Sequence, residues 1–212
     1  MPTAKAKLTP RRSPIQGRSR ATVDAIVQAT ARVLVRRGWS GLTTNHVAEK
    51  AGVSVGTLYE YFPGKDALAR ALVERHLAHA EALLGGRLAA LLAATNQFDV
   101  TTLARAMVDA MIELHENDPR LHRVLFEQVP HDASVRARVQ RLEDEAAAVL
   151  ARVLPHVRGV TVREPEIAAR LVVELLEALT HRWITSRDRT PIPAPRMAEE
   201  LTRLLVAYLT SA

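Results

Sequence analysis

The chain contains no cysteine. Disulfides, zinc-thiolate sites and thiol catalysis are therefore excluded. Aromatic residues make up only 4% of its 212 residues, and there are nine glycines. No alternating run of β-branched residues and no Asn-Gly hairpin signal occurs, so little speaks for a sheet. No apolar stretch approaches the roughly 20 residues that a membrane-spanning helix needs. The first seventeen residues lack the apolar segment of a signal peptide. A cytoplasmic location without a membrane partner is the expectation. Internal repeats with a period of about 20 to 50 residues are also missing.

Signatures of catalysis are equally sparse. There is no Gly-x-Ser-x-Gly elbow. The glycine spacing before Gly64-Lys65 is wrong for a phosphate loop. His115-Glu116 lacks the second histidine four residues on that a zinc protease helix requires. His76 and His79 lie three apart and read as two solvated histidines rather than metal ligands. Glu143, Asp144 and Glu145 read as a solvated helix face. No enzymatic activity, catalytic residue, cofactor or metal ligand is expected.

What the chain has is helix-forming and basic. Apolar residues make up 48%, dominated by Ala, Leu and Val, and Arg is abundant. This favours helix, and 212 residues suffice for a substantial core. Residues 1 to 65 hold eleven Lys and Arg against three Asp and Glu, a balance of +8. The remainder holds eighteen against twenty, a balance of −2. The net charge of +6 is therefore concentrated in the first third. Such an asymmetry suits a polyanionic partner. Residues 1 to 17 carry three prolines, four basic residues and no acid. They should form a disordered basic arm, either a solubilising tail or an arm that follows a minor groove. In the second reading Arg18 and Arg20 are the residues that touch DNA.

One run, TTNHVAEKAGVSVGTLYEYFPGKDAL at 43 to 68, carries the most information. Thr43 is an N-cap residue for a short helix from Thr44. Val47, Ala48 and Ala51 give that helix a narrow apolar stripe. Gly52 suits a left-handed C-terminal stop, and Val53 plugs the corner. Ser54 caps a second short helix, in which Leu58 and Phe62 face inward. Val55, Gly56, Thr57, Tyr59 and Tyr61 then face outward. Two short helices crossing at a glycine turn form a helix-turn-helix, whose second helix enters the major groove of DNA. The preceding helix should span about Ser19 to Arg37, with Val23, Ile26, Val27, Thr30, Val33 and Leu34 on its apolar stripe. Gly38 stops it, and Trp39 packs beneath.

The run resembles the DNA-binding head of the TetR family of bacterial transcriptional repressors. The resemblance rests on Thr43-Thr44, Ala51-Gly52-Val53-Ser54, Gly56-Thr57-Leu58-Tyr59 and Tyr61-Phe62-Pro63-Gly64-Lys65, and it covers about residues 18 to 68. It implies that Tyr59, Tyr61 and Thr44 contact the DNA backbone. Lys65, at the start of helix 4, would hold a phosphate together with the helix amides. Ser54 joins the expected contacts. Val55 and Thr57 occupy base-facing positions, where methyl groups meet thymine methyls, and Gly56 permits close approach. Gly64 departs from the serine common before the lysine. Glu60 puts an acid on the recognition helix and is expected to face sideways.

Beyond the head six more helices are expected, giving an all-α protein of about nine helices. The DNA-binding domain spans 18 to 64, and a helical effector-binding and dimerisation domain spans 65 to 212. Helix 4 begins at Lys65; Gly85-Gly86 either breaks it near Leu84 or is absorbed before Ala94. The others cover about 101 to 117, 119 to 128, 133 to 154, 166 to 186 and 197 to 210. The last two are strongly apolar. Plain core is one reading. The resemblance implies another, a four-helix homodimer interface using Leu171, Leu175, Leu179, Leu201, Leu205 and Tyr208. In the middle helices the stripe of Met107, Met111 and His115 reads either as plain core or as an apolar effector pocket completed by Leu125, Phe126, Val129 and Trp183.

The expected function is a ligand-responsive repressor that binds a palindromic double-stranded operator as a homodimer and is released by a small apolar effector. Two alternatives stand beside it: a DNA-binding regulator without a small ligand, and a helical small-molecule-binding protein.

Overall fold

A computed structural model of the chain describes residues 17–94, 98–186 and 192–211. Among them are nine α-helices and no β-strand. In order they are α1 Gly17–Gly41, α2 Thr44–Ala51, α3 Val55–Tyr61, α4 Lys65–Ala94, α5 Val100–Glu116, α6 Pro119–Glu127, α7 Ala133–Val153, α8 Pro165–Thr185 and α9 Ala194–Leu209. A 3-10 turn, Leu154–His156, follows α7. The arm at 1 to 16 lies outside the described residues.

The chain divides into two compact units. One contains the residues up to Leu77 together with Arg120–Val135. The other contains Ala78–Pro119 and Arg136–Ala212. Packing thus joins the first turns of α4 and the distant segment 120–135 to the head, where the sequence suggested a division at 64.

In the first unit α1 buries Ile26, Val27, Thr30, Val33 and Leu34, the face expected of it, while Val23 is half-buried. The Thr30 hydroxyl donates to the Ile26 carbonyl at 2.8 Å, which allows it to sit in the core. At Gly38 the backbone turns to φ 66° and interrupts the helix. A Cβ there would lie 2.9 Å from Gln128 Oε1, the movable end of that side chain, so it is the backbone angle that calls for glycine. The same Gln128 Oε1 accepts from the Trp39 amide at 3.3 Å. Leu58, Phe62, Leu68 and Leu72 complete this core.

The second unit is organised around α5, which packs against α8 and α9. Its core includes Leu103, Ala104, Val108, Leu154, Val172 and Leu205. Asp99 caps α5, accepting from the Thr102 amide at 2.8 Å. The chain after α7 returns to this point: the amide of Val100 donates to Arg158 O at 3.0 Å, and that of Arg158 to Phe98 O at 3.2 Å. Gly85-Gly86 is absorbed, and α4 runs unbroken to Ala94. Each glycine costs about 1 kcal/mol relative to alanine, too little to break a 30-residue helix.

Candidate nucleic-acid interface

The head is built by local hydrogen bonds. Thr43 Oγ1 accepts from the His46 amide at 3.2 Å and starts α2. Gly52 ends it in the left-handed region, φ 69° and ψ 31°. There the amides of Gly52 and Val53 reach Glu49 O and Ala48 O at 3.2 and 3.0 Å. Ser54 Oγ accepts from the Thr57 amide at 2.9 Å and starts α3. Val47, Ala48, Leu58 and Phe62 are buried, which fixes the opposite face of α3 toward water.

That outward face presents Val55 at 39% and Tyr59 at 43% exposure, with Gly56 and Glu60 also exposed and Thr57 half-buried. Two of the backbone-contact residues implied by resemblance are brought together: the Thr44 and Tyr59 hydroxyls lie 3.2 Å apart. One of the pair donates to the other, which leaves one hydroxyl proton and acceptor capacity unused by this bond. Ser54 and Thr57 are likewise paired, their hydroxyls 2.8 Å apart. Tyr61 is placed differently. Its hydroxyl accepts from Ser19 Oγ at 3.2 Å and ties α3 to α1.

Lys65 opens α4, and its Nζ lies 4.3 Å from the centroid of the Trp39 ring. The indole holds the ammonium at the helix start through a cation–π contact. Trp39, whose amide donates to Gln128, thus supports Lys65, a residue expected to contact phosphate, as well as packing. Arg20 is exposed on α1, and the side chain of Arg18 lies outside the described residues.

Sequence reasoning missed one element of this surface. Arg37 donates to His46 Nε2 at 2.9 Å. His46 Nδ1 lies 3.2 Å from Gly41 O. Since a carbonyl only accepts, Nδ1 carries the proton and Nε2 is free to accept from Arg37. This fixes an exposed guanidinium beside α2. A neutral histidine in a polar helix gives no signal of such a bond.

In the second unit Met111 and His115 are buried, and Met107 and Trp183 are partly so. His115 Nδ1 donates to Met111 O at 2.6 Å. Burial holds the imidazole below its ordinary pKa, opposed by the Met111 bond, with nearby His181 lowering it further. Trp183 Nε1 donates to Ile192 O at 2.8 Å. In the first unit Leu125 and Val129 are buried. The Phe126 ring packs on His122 and His76, with centroids 4.6 and 5.6 Å apart. His76 is therefore not a solvated histidine: its Nε2 lies 3.3 Å from His122 Nδ1.

The apolar stripe of α8 and α9 divides. Leu171 and Leu179 are 48% and 37% exposed, joined by Ile167 and Leu204. Leu175 and Tyr208 are partly buried. Leu201 and Leu205, at 4% and 1% exposure, are core residues of their own chain and cannot form an outer surface. Among the described residues no helix is long and apolar enough to cross a membrane.

A profile of bacterial regulatory proteins of the tetR family matches residues 26–72. A second, described as the tetracyclin repressor-like C-terminal domain, matches 99–209. The nucleoid occlusion factor SlmA of Haemophilus influenzae is 31% identical over 160 residues, covering 72% of this chain and 70% of that protein. The HTH-type transcriptional activator FasR of Mycolicibacterium smegmatis is 33% identical over 99 residues, 47% of this chain and 42% of FasR. In fold, the fatty acid degradation regulator FadR of Bacillus halodurans superposes with a TM-score of 0.68 at 17% identity. The match covers 90% of this chain and 97% of FadR. A TetR-like regulator from Rhodococcus gives 0.64 at 21% identity, covering 95% and 100%. The capped helix pair, the basic first third and the two matched segments together make this chain a member of the TetR family of bacterial transcriptional regulators.

Proposed function

We propose that the chain is a homodimeric repressor of a palindromic operator, released when a small apolar effector shifts the dimer toward a state with badly spaced heads. The observation that carries the reading is the outward face of α3. Val55, Gly56 and Thr57 stand exposed or half-exposed on the helix that carries Tyr59, paired with Thr44, and Lys65 opens the next helix. The first three offer methyl groups and close approach to base edges, and the others offer phosphate contacts. With so little hydrogen-bonding code at the bases, much of the affinity comes from the backbone and falls steeply with salt.

Ile167, Leu171, Leu179 and Leu204 support the dimer, since exposed apolar side chains on two adjacent helices gain by pairing with their symmetry copies. A dimer would place its heads on half-sites about 10 base pairs apart or a multiple of that. Release requires only that the effector bind one dimer state better than the other. A second reading, suggested by relatives named as nucleoid occlusion factors rather than as ligand-responsive regulators, is a DNA-binding regulator without a small ligand.

The test is fluorescence anisotropy with the DNA upstream of the chain's own gene, run beside sedimentation. Saturable sequence-specific binding by a dimer is expected. Equal affinity for scrambled DNA at moderate salt would remove the regulator reading, and a monomer at micromolar concentration would remove the dimer. A panel of apolar compounds that leaves both the melting temperature and operator affinity unchanged selects the second reading.

A further inference from the structure

The first unit contains a cleft of about 250 Å³ that the DNA-facing residues do not use. Its walls come from Trp39 near the end of α1, the first turns of α4, the segment joining α6 to α7, and the first turn of α7. Ala69, Val73, Val129 and Val135 form a buried apolar lining. The size lies between the roughly 150 Å³ cavity that accepts benzene and the roughly 300 Å³ at which larger ligand pockets begin. A single small ring or a short chain fits.

The polar groups decide the charge of the guest. Asp132 is already supplied: its Oδ1 accepts from the amides of Ser134 and Val135 and from the Ser134 hydroxyl, each at 2.9 Å. These bonds, led by the Val135 amide, hold its carboxyl below the usual range. Arg70 is not so well supplied. One of its five N–H donors, on Nη1, reaches Asp132 Oδ2 at a long 3.4 Å, and its side chain is only 24% exposed. His131 is turned to the Leu125 carbonyl at 3.0 Å. Asp66, a second acid of the lining, is exposed. Arg70 thus keeps unused donors at the cleft, on a planar guanidinium suited to carboxylate, while Asp132 Oδ2 accepts only that same long contact.

We infer that this cleft is a binding site for a small apolar monocarboxylate, with Arg70 holding the carboxylate and the valines and Trp39 enclosing the body. The site goes beyond the proposed regulator and rests on that reading only where it touches DNA binding. There the link is short, because the indole that forms one wall also carries Lys65 Nζ at 4.3 Å. A guest against Trp39 shares a side chain with the interface lysine.

Titration calorimetry of the full chain with benzoate, benzamide and benzylamine tests the site. Benzoate should bind saturably and at least about tenfold tighter than the other two, the effect of one charge-assisted hydrogen bond. Arg70→Gln should bring benzoate down to the level of benzamide, and Arg70→Lys should restore part of the difference. Benzoate should also shift the methyl resonances of Val73, Val129 and Val135, a readout that stands if the Arg70 variants fail to fold. The inference is overturned if benzamide or benzylamine binds as well as benzoate, if benzoate gives no saturable heat, or if the methyl shifts lie elsewhere. Operator anisotropy measured in parallel separates the two readings. A chain that binds benzoate in the cleft but no specific DNA keeps the site and loses the regulator; one that binds DNA but no benzoate does the reverse.

Discussion

The head and the second unit are held together at different ranges of sequence. In α2 and α3 the decisive bonds span three to five residues: Thr43 to His46, Gly52 to Glu49, Val53 to Ala48, Ser54 to Thr57. Even the Thr44–Tyr59 pair is only fifteen residues apart. In the second unit α5 packs on α9, and the Thr161 amide donates to Leu209 O at 3.0 Å. Short helices set by neighbouring caps can expose function on one face while Val47, Leu58 and Phe62 on the other join the buried core of that unit. A unit specified by distant contacts depends on burial, so the role of each leucine is decided by its surroundings and not by its position in the repeat.

The α9 stripe gives the sharpest way to break that contrast. Leu205→Ala should cost about 2 to 5 kcal/mol in urea unfolding, the usual range for an emptied core leucine. Leu171→Glu, on the exposed part of α8, should leave the far-ultraviolet circular dichroism of the chain unchanged. It should instead shift sedimentation toward monomer and weaken operator binding. If Leu205→Ala unfolds no more easily than wild type, or Leu171→Glu remains as dimeric as wild type, the division of the stripe into core and interface is wrong.

Two glycines in the head sharpen it further. Gly52 has nothing within 4 Å of a built Cβ, so Gly52→Ala tests backbone angle alone. The left-handed region costs a residue with a Cβ about 1 to 2 kcal/mol, and the melting temperature should fall accordingly. Gly56 is inside α3, where alanine fits at ordinary contact, 3.7 Å from Ser54 Oγ. Gly56→Ala should stabilise the fold by about 0.5 to 1 kcal/mol while weakening operator binding through loss of close approach. Stabilisation with undiminished affinity would show that Gly56 does not meet the bases.

Lys65→Ala should reduce affinity for all DNA sequences alike. The slope of log affinity against log salt should flatten by about one, the contribution of one phosphate contact. An unchanged slope would assign Lys65 to Trp39 alone and leave the interface to the Thr44–Tyr59 pair and the arginines.

These contrasts follow what was legible in the sequence. Both caps, the left-handed glycine, the inward Leu58 and Phe62, and the α1 stripe were readable, because each depends on spacing within one turn or two. The burial of Leu201 and Leu205 was not, since a helix with two apolar neighbours shows the same periodicity whichever neighbour is its own chain. Nor was the surrounding of His76, whose partner His122 is 46 residues away. The Gly38 stop was readable, but not its contact with Gln128, remote in sequence, whose Oε1 would lie 2.9 Å from a Cβ there. The first turns of α4 and the segment 120–135 join the head for the same reason: their partners are remote in sequence.

Glu143 tests the smallest of these differences, between a helix face that merely looks solvated and one that is partly enclosed. Its carboxyl titrates above the ordinary range, chiefly through burial and then through Glu177, Glu174 and Asp144, with Arg170 opposing. Arg170 is already engaged, donating to Glu174 at 2.9 Å and lying 3.8 Å from Asp144. The folded chain thus binds the Glu143 proton more tightly than the unfolded chain does. Stability from this group is complete below the ordinary glutamate pKa and is lost as pH rises through the higher folded value. At pH 7 the ionised carboxylate is therefore a net cost, limited to less than about 1 kcal/mol because the side chain is still partly open to screening water. Glu143→Gln should raise the melting temperature at pH 7 by about 2 °C or less, and the gain should vanish when both proteins are melted near pH 4. A gain that persists undiminished in acid would mean the amide stabilises by packing or hydrogen bonding, and that the acids of α7 and α8 do not repel one another.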